Sequence, residues 1–404
     1  MPANLEVLPV IPFEPARLER LMQEAGMDAV LATTRHNVRY LTGGYYNHFF
    51  ARTARQAATQ YMAMVGVTRD LRTAFHVAGR GETADIDRFG QLWIDDRLAA
   101  QPGQAMTVNV ARTGAAALRR RGLQGATIGV ELPFLPADAF MALRQELPAA
   151  TLVDASGLLG ELRAIKRSEE LDRLRAVHLL TAEAIQSAMT NGGAGATTRE
   201  LAAAVARGIG ARDAAFLYCL ANVGPSLVRT PGDERWVSGR PLHLDAGGEL
   251  GDYVSDICRM GSFGPEAPAE APAEAPAGSP AETSAEARAM YEACLEAQDR
   301  LRSEIAAGLT CGDVQRLGEE LLRATRWGEH SRFVAHGLGM VSHEPPDVDA
   351  ASTRPLEIGM VLSLETEFKH ADIGHVKFED SVAVTASGCV GLGDHARDWC
   401  LAGA

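Results

Sequence analysis

The chain reads as two domains of mixed helix and strand, a small α/β domain over residues 1–157 and a larger domain over 158–404. Three observations carry that reading. Its 404 residues exceed the usual size of one domain. Residues 1 to about 155 alternate short strand-like and helical runs, as a small α/β unit does. The rest holds two β-hairpin patterns, each with a pair of carboxylates, separated by helical periodicity.

In the first domain ARLERLMQEAG from Ala16 reads as a helix, and DAVLAT from Asp28 and YMAMVGV from Tyr61 read as strands. GRGETAD near Gly79 lacks the full glycine pattern of a phosphate loop and reads as a plain turn. The second domain opens on a helix capped by Ser168, with Glu169 and Glu170 in its first turn. Leu171, Leu174, Val177, Thr181, Ile185 and Met189 follow at helical spacing.

Next comes LHLDAGGELGDYVSDICRMG, where Asp245 and Asp256 flank a Gly-rich bend. A turn centred between Leu250 and Gly251 would set the two aspartates opposite each other across a hairpin. The Pro-Ala-Glu tract that follows, residues 265–284, cannot supply a packed core and reads as a solvated, extended loop insertion. Helical spacing resumes at Met290, Cys294, Ala297, Leu301 and Ile305, and again at Val314, Leu317 and Leu321. In MVLSLETEFKHADIGHVKFEDSVAVT, folding over Ala371 to Gly374 brings Glu365 across from Glu379.

Four carboxylates so placed would repel one another strongly unless cations sat between them. VAHGLGMVSHEPP adds His336 before a Gly-Leu-Gly turn and His343 seven residues later. One imidazole with four carboxylates is a hard, oxygen-dominated set, suited to two divalent ions such as Mn²⁺, Co²⁺ or Fe²⁺ rather than to a thiolate-type structural zinc. A lone Asp pair would be weak, since surface hairpins often carry aspartates. Asp245, however, follows Leu242 and Leu244 in an apolar strand, where a charge needs a partner.

In order and spacing, Asp245, Asp256, His336, Glu365 and Glu379 resemble the ligand series of the creatinase, aminopeptidase P, prolidase and methionine aminopeptidase superfamily. ELRAIKRSEELDRLR at Glu161 to Arg175 resembles that family's entry into its catalytic half. The resemblance implies an α+β fold, a pita-bread catalytic domain preceded by a smaller α/β creatinase-like domain. It implies five metal ligands, Asp245, Asp256, His336, Glu365 and Glu379, holding two divalent ions per subunit, Mn first and Co, Fe or Zn as alternatives. Asp256 and Glu379 would bridge the ions. Glu365 would carry the proton to the leaving nitrogen and His343 would hydrogen-bond the oxyanion.

The implied activity is hydrolysis of peptide or amide bonds, of Xaa-Pro aminopeptidase or dipeptidase type. The alternative is a relative acting on a small metabolite, like creatinase, ectoine hydrolase or dimethylsulfoniopropionate lyase. A binding module that keeps the fold without catalysis would be marked by lost ligands, and none is lost here.

The departures lie around the substrate. No histidine falls between Asn222 and Pro241, and His243 sits at the strand end, out of register for that role. EPGxY becomes ETEFK at Glu365 to Lys369, and Lys377 replaces the family's arginine. Arg229 and Lys369 supply charge in roughly the corresponding places, as substrate-binding candidates. Arg259 is a candidate for orienting a neighbouring carboxylate.

A formal charge of −13 argues against a nucleic-acid partner. No run approaches a membrane span and the N-terminus lacks a signal-peptide pattern. Six scattered cysteines read as reduced thiols in a cytoplasmic protein. The remaining expectation is a homodimer acting on a small peptide or other small molecule.

Overall fold

The computed structural model describes residues 10–46, 60–263 and 280–403. The chain divides into compact units, Met1–Leu162 and Arg163–Ala404.

The first unit contains α1 (Pro15–Glu24), β1 (Ala29–Ala32), α2 (Arg35–Thr42), β2 (Met64–Thr68), β3 (Phe75–Gly79), α3 (Arg80–Phe89) and β4 (Asp96–Ala100). It continues with α4 (Met106–Arg120), β5 (Thr127–Val130), α5 (Ala137–Glu146) and β6 (Thr151–Asp154), and α6 (Ser156–Ala164) crosses the boundary. Its sheet runs β4-β3-β2-β1-β5-β6, with parallel outer pairs about an antiparallel centre. Every residue of β1, β2 and β3 is buried, as expected of strands covered on both faces. The turn expected at GRGETAD is instead the start of α3, which has Gly79 at its N-cap. Good helix formers at Glu82 and Ala84 and the apolar Ile86 propagate a helix there despite Gly81.

The second unit opens with α7 (Ser168–Gly192) and α8 (Thr198–Gly210). Ser168 is the first helical residue rather than the cap, and the Glu170 carboxylate accepts the Arg167 backbone N–H at 3.0 Å. Strands β7 (Ala215–Val223), β8 (Leu242–Leu250), β9 (Tyr253–Val254) and β10 (Ile257–Phe263) follow, then α9 (Pro280–Glu304) and α10 (Cys311–Arg323). After them come β11 (Ser331–Gly337), β12 (Glu344–Asp347), β13 (Val361–His370), β14 (Gly374–Val384), β15 (Cys389–Gly391) and β16 (Cys400–Ala402). The sheet order is β12-β11-β13-β14-β10-β8-β7, with β9 on β8, β15 on β14 and β16 on β10.

Most of the Pro-Ala-Glu tract lies outside the described residues, but its end does not. Helix α9 begins at Pro280, inside the stretch expected to be loop to Ser284. Proline at a helix start costs nothing and Ala281 and Glu282 favour helix, so the element starts as soon as the prolines stop recurring. One buried cluster packs α9 and α10, through Met290, Tyr291 and Val314, against Leu364, Phe368 and Phe378 of β13 and β14. Another packs α7 and α8 against β7 and β8.

Two buried histidines make the fold acid-sensitive. His76 on β3 and His178 on α7 are each held neutral by burial, with pKa lowered to about 4. Neither His76 ring nitrogen has a hydrogen-bond partner among the described residues. Since the unfolded value is near 6.5, their contribution is complete above that pH and is lost as pH falls towards 4. Each is worth on the order of 2–3 kcal/mol across that window. The melting temperature is expected to fall between pH 7 and pH 5, and His178→Gln should flatten that fall. A profile unchanged in the variant would refute the assignment.

Candidate metal centre

The second hairpin forms in the expected register. Glu365 of β13 stands opposite Glu379 of β14, with the bend at Ala371–Ile373. The first hairpin is shifted. Its turn is Gly251–Asp252, both at positive φ, one residue beyond the expected centre. Asp245 therefore faces Cys258, and Asp256, two residues earlier, lies on the diagonal. Residues two apart on a strand share a face, so both carboxylates still lie on one side of the sheet.

Asp256, His336, Glu365 and Glu379 converge, whereas Asp245 groups with His243 and Cys258 and reaches the others through Lys377. Asp256, His336 and Glu379 bring their donor atoms within 4.8 Å of one another. His336 Nε2 lies 3.5 Å from Glu365 Oε1 and 4.0 Å from Asp256 Oδ2. It is buried and makes no directed hydrogen bond among the described residues. A buried imidazole nitrogen aimed between carboxylates is what a metal ligand looks like before the ion is added, so this group of donors fits a divalent cation.

Around them are groups that hold the carboxylates in place. Ser363 donates to Glu379 Oε1 at 2.9 Å, and the Tyr218 hydroxyl donates to Asp256 Oδ1. Burial and then the Asp245 charge push Asp256 up to about 6. Burial raises Glu365 too, but the neighbouring His336 ring, 3.5 Å away, and the Lys377 ammonium outweigh it and hold Glu365 below the usual carboxylate range. Burial and the Asp256 charge push Glu379 well above that range.

Gly337, just after His336, is required by close approach, because a Cβ there would overlap the Glu344 carbonyl. Glu344 itself is fixed by Arg163 at 2.9 Å and Lys166 at 3.0 Å, all three side chains being almost fully buried. The 338–344 loop is thereby anchored to the KRSEE segment. That loop carries His343, which is exposed yet stacks on His336, centroids 3.9 Å apart.

The other expected residues fall near the cluster in different ways. Arg229 donates to Asp245 Oδ2 at 3.1 Å, so its charge is engaged by a carboxylate. Lys369 pairs with Glu367 at 3.3 Å. Arg259 orients not a candidate ligand carboxylate but Asp380, at 2.6 Å, and donates to the Glu379 carbonyl at 2.8 Å. His243, expected to be out of register, is fully buried beside Asp245, with Nε2 4.0 Å from Oδ2 and the Cys258 sulfur 3.7 Å away. Its place on β8 two residues before Asp245 puts both on one face.

Sequence reasoning missed Tyr218 and the His375–Glu367 pair, whose Nε2 and Oε2 are 2.6 Å apart. The alternation of β13 and β14 away from Glu365 and Glu379 would have shown Glu367 and His375 on the same faces. Tyr218 had no local signal.

Comparison with known proteins places this geometry in context. The profile of "Metallopeptidase family M24" matches residues 172–386, and that of "Creatinase/Prolidase N-terminal domain" matches residues 16–165. An uncharacterized peptidase of Staphylococcus haemolyticus is 26% identical over 241 residues, covering 58% of this chain and 64% of the relative. One from Staphylococcus aureus is 27% identical over 241 residues, with the same coverage. The match thus spans under two thirds of these curated relatives' length.

Among solved structures, an Xaa-Pro dipeptidase from Bacillus anthracis superposes with a TM-score of 0.77 at 21% identity, covering 96% of this chain and 98% of that one. A prolidase from Pyrococcus horikoshii gives 0.75 at 20%, covering 96% and 99%. The N-terminal domain of the chickpea FACT complex subunit SPT16 gives 0.67 at 12%, covering 94% and 95%. At these identities the structures show the shared fold alone.

Proposed function

The chain belongs to metallopeptidase family M24, and from that premise we propose that it is a metal-dependent hydrolase of peptide or amide bonds, of Xaa-Pro aminopeptidase or dipeptidase type. The observation that carries the reading is the convergence of His336 Nε2 and the Asp256 and Glu379 carboxylates inside the sheet, beside Glu365. These four would hold the ion. A divalent ion bound there would supply Lewis-acid polarisation of the scissile carbonyl and acidify the attacking water.

The rest is done by the chain's own groups. Glu365, held ionised between His336 and Lys377, is placed to accept a proton at its carboxylate and deliver it to the leaving nitrogen. His343, stacked on His336 and open to solvent, is the donor available to the carbonyl oxygen as charge develops. Arg229 and Lys369 are proposed at the rim, where each keeps about a third or more of its side chain exposed while paired to Asp245 and Glu367. The oxygen-rich donors suit Mn²⁺ first, with Co²⁺, Fe²⁺ or Zn²⁺ as alternatives.

No helix among the described residues is long and apolar enough to cross a membrane. All six cysteines are free thiols, which supports the reading of a cytoplasmic enzyme. The proposal includes a homodimer, which light scattering would check. The Xaa-Pro names of the structural neighbours support a peptide substrate over the small-metabolite alternative. The test is a panel of Xaa-Pro dipeptides and tripeptides given to the Mn-loaded protein. The expected kcat/KM is about 10⁴ M⁻¹s⁻¹ or more for the best member. Absence of turnover across the panel would overturn the peptidase reading.

A further inference from the structure

We infer that the Lys377 ammonium takes the place of one of the two cations that the five-residue pattern calls for, so that the centre holds a single divalent ion among Asp256, His336, Glu365 and Glu379. The inference rests on the metal-dependent reading above and narrows it. It starts from Lys377 Nζ, which lies 2.9 Å from Asp245 Oδ2, 2.7 Å from Glu365 Oε2 and 2.7 Å from Glu379 Oε2. Three strands, β8, β13 and β14, thus converge on one ammonium. The side chain is 4% exposed, and Lys377 stands on β14 two residues before Glu379, on the same face. An ammonium so placed cannot retract to water, and the acceptors around it are the carboxylates themselves.

Charge balance points the same way. With an ion bound and all four carboxylates ionised, Asp245, Asp256, Glu365 and Glu379 bring four negative charges to the site. Lys377 and Arg229, both on Asp245 Oδ2, offset two of them. One divalent ion offsets the other two. A second divalent ion would leave an excess of two positive charges in a low-dielectric interior and would strip Lys377 of its partners, and both are unfavourable.

The two sides of the cluster also differ in what they lack. On the His336 side a buried imidazole nitrogen makes no directed hydrogen bond among the described residues, so a ligand position remains there. On the Asp245 side the neighbouring donors are already engaged. Asp245 accepts from Lys377 and Arg229, and the Cys258 thiol donates to the Lys377 carbonyl at 3.5 Å. His243, Asp245 and Cys258 come within 4.8 Å of one another, but an ion among them would meet the ammonium on the same carboxylate oxygen.

The test is to strip the full-length protein of metal, load it with excess Mn²⁺, remove unbound ion, and measure Mn per chain together with its electron paramagnetic resonance spectrum. The wild type is expected to hold one Mn per chain with the spectrum of an isolated ion. Asp245→Asn should keep that one ion, because Asp245 is on the ammonium's side. Lys377→Met should bind twice as much Mn and show a spin-coupled pair, because three carboxylates have lost their cation.

Two Mn per chain in the wild type, or loss of the ion in Asp245→Asn, would overturn the inference and leave the hydrolase reading standing. A folded Lys377→Met variant that stays at one ion would overturn the claim that the ammonium excludes the second. Should that variant not fold, the wild type and Asp245→Asn decide. Failure of the wild type to bind Mn²⁺, and equally Co²⁺, Fe²⁺ or Zn²⁺ in the same loading, would overturn the functional reading and this inference together.

Discussion

Replacing Glu365 by glutamine is expected to lower kcat/KM by roughly 10²–10⁴, the usual worth of a positioned general acid or base. The amide matches the carboxylate in size, and its carbonyl oxygen can still accept from Lys377, whose ammonium is 2.7 Å from Glu365 Oε2. What it cannot do is take up and release a proton near neutral pH. The substitution therefore separates chemistry from architecture. Melting temperature and secondary structure should match those of the wild type, and metal retained through Asp256, His336 and Glu379 should remain measurable. Activity within tenfold of the wild type on the best peptide would remove Glu365 from the proton-transfer role. Loss of metal along with activity would instead assign it an obligatory share in holding the ion.

The second large effect lies on the other face of the same strand. Asp380 follows Glu379 on β14, so its side chain turns away from the candidate centre. Fully buried, it meets Arg259 at 2.6 Å, Arg397 at 2.8 Å and Arg302 at 3.8 Å. Arg259 is itself buried, its guanidinium 5.0 Å over the Phe378 ring, and it donates to the carbonyls of Glu379 and His395. Asp380→Ala leaves that guanidinium without a counter-charge, which costs about 3–5 kcal/mol when a buried pair is broken from one side. The expected fall in melting temperature is roughly 10 °C. Because Arg259 also holds the Glu379 carbonyl, metal affinity should weaken with stability. Replacing both partners by apolar residues, Arg259→Met with Asp380→Leu, should cost less than Asp380→Ala alone. A loss below about 1 kcal/mol in Asp380→Ala would mean the arginines find other partners, and the account of this network would fail.

Much of the candidate centre was legible because its parts are local. Glu365 and Glu379 belong to one hairpin with a short bend, and alternation on either side settles their pairing within fourteen residues of chain. The Asp245–Asp256 hairpin shows how narrow that margin is. Placing its turn one residue too early exchanged Cys258 for Asp256 opposite Asp245, although the shared face survived because the error moved the partner by two. Helices with strong spacing, such as α7 and α10, were equally plain. GRGETAD was misread as a turn, whereas the helix formers that follow Gly81 carry α3 through it.

By itself the sequence determined which residues could serve as ligands, their order along the chain and the two hairpins that present four of them. Residue chemistry and short-range turn geometry suffice for that. Only the tertiary structure decided what surrounds them. Lys377 meets Asp245 across 132 residues of chain, Tyr218 reaches Asp256 from a separate strand, and Glu344 ties His343's loop to Arg163. No local periodicity encodes such meetings, since they depend on which strands become neighbours and on where a long side chain ends once the sheet has closed around it. For Lys377 the distinction is consequential. As a letter it is a conservative change from arginine, but inside the sheet its shorter, compact ammonium lies among the carboxylates themselves, where the charge they need is already partly supplied.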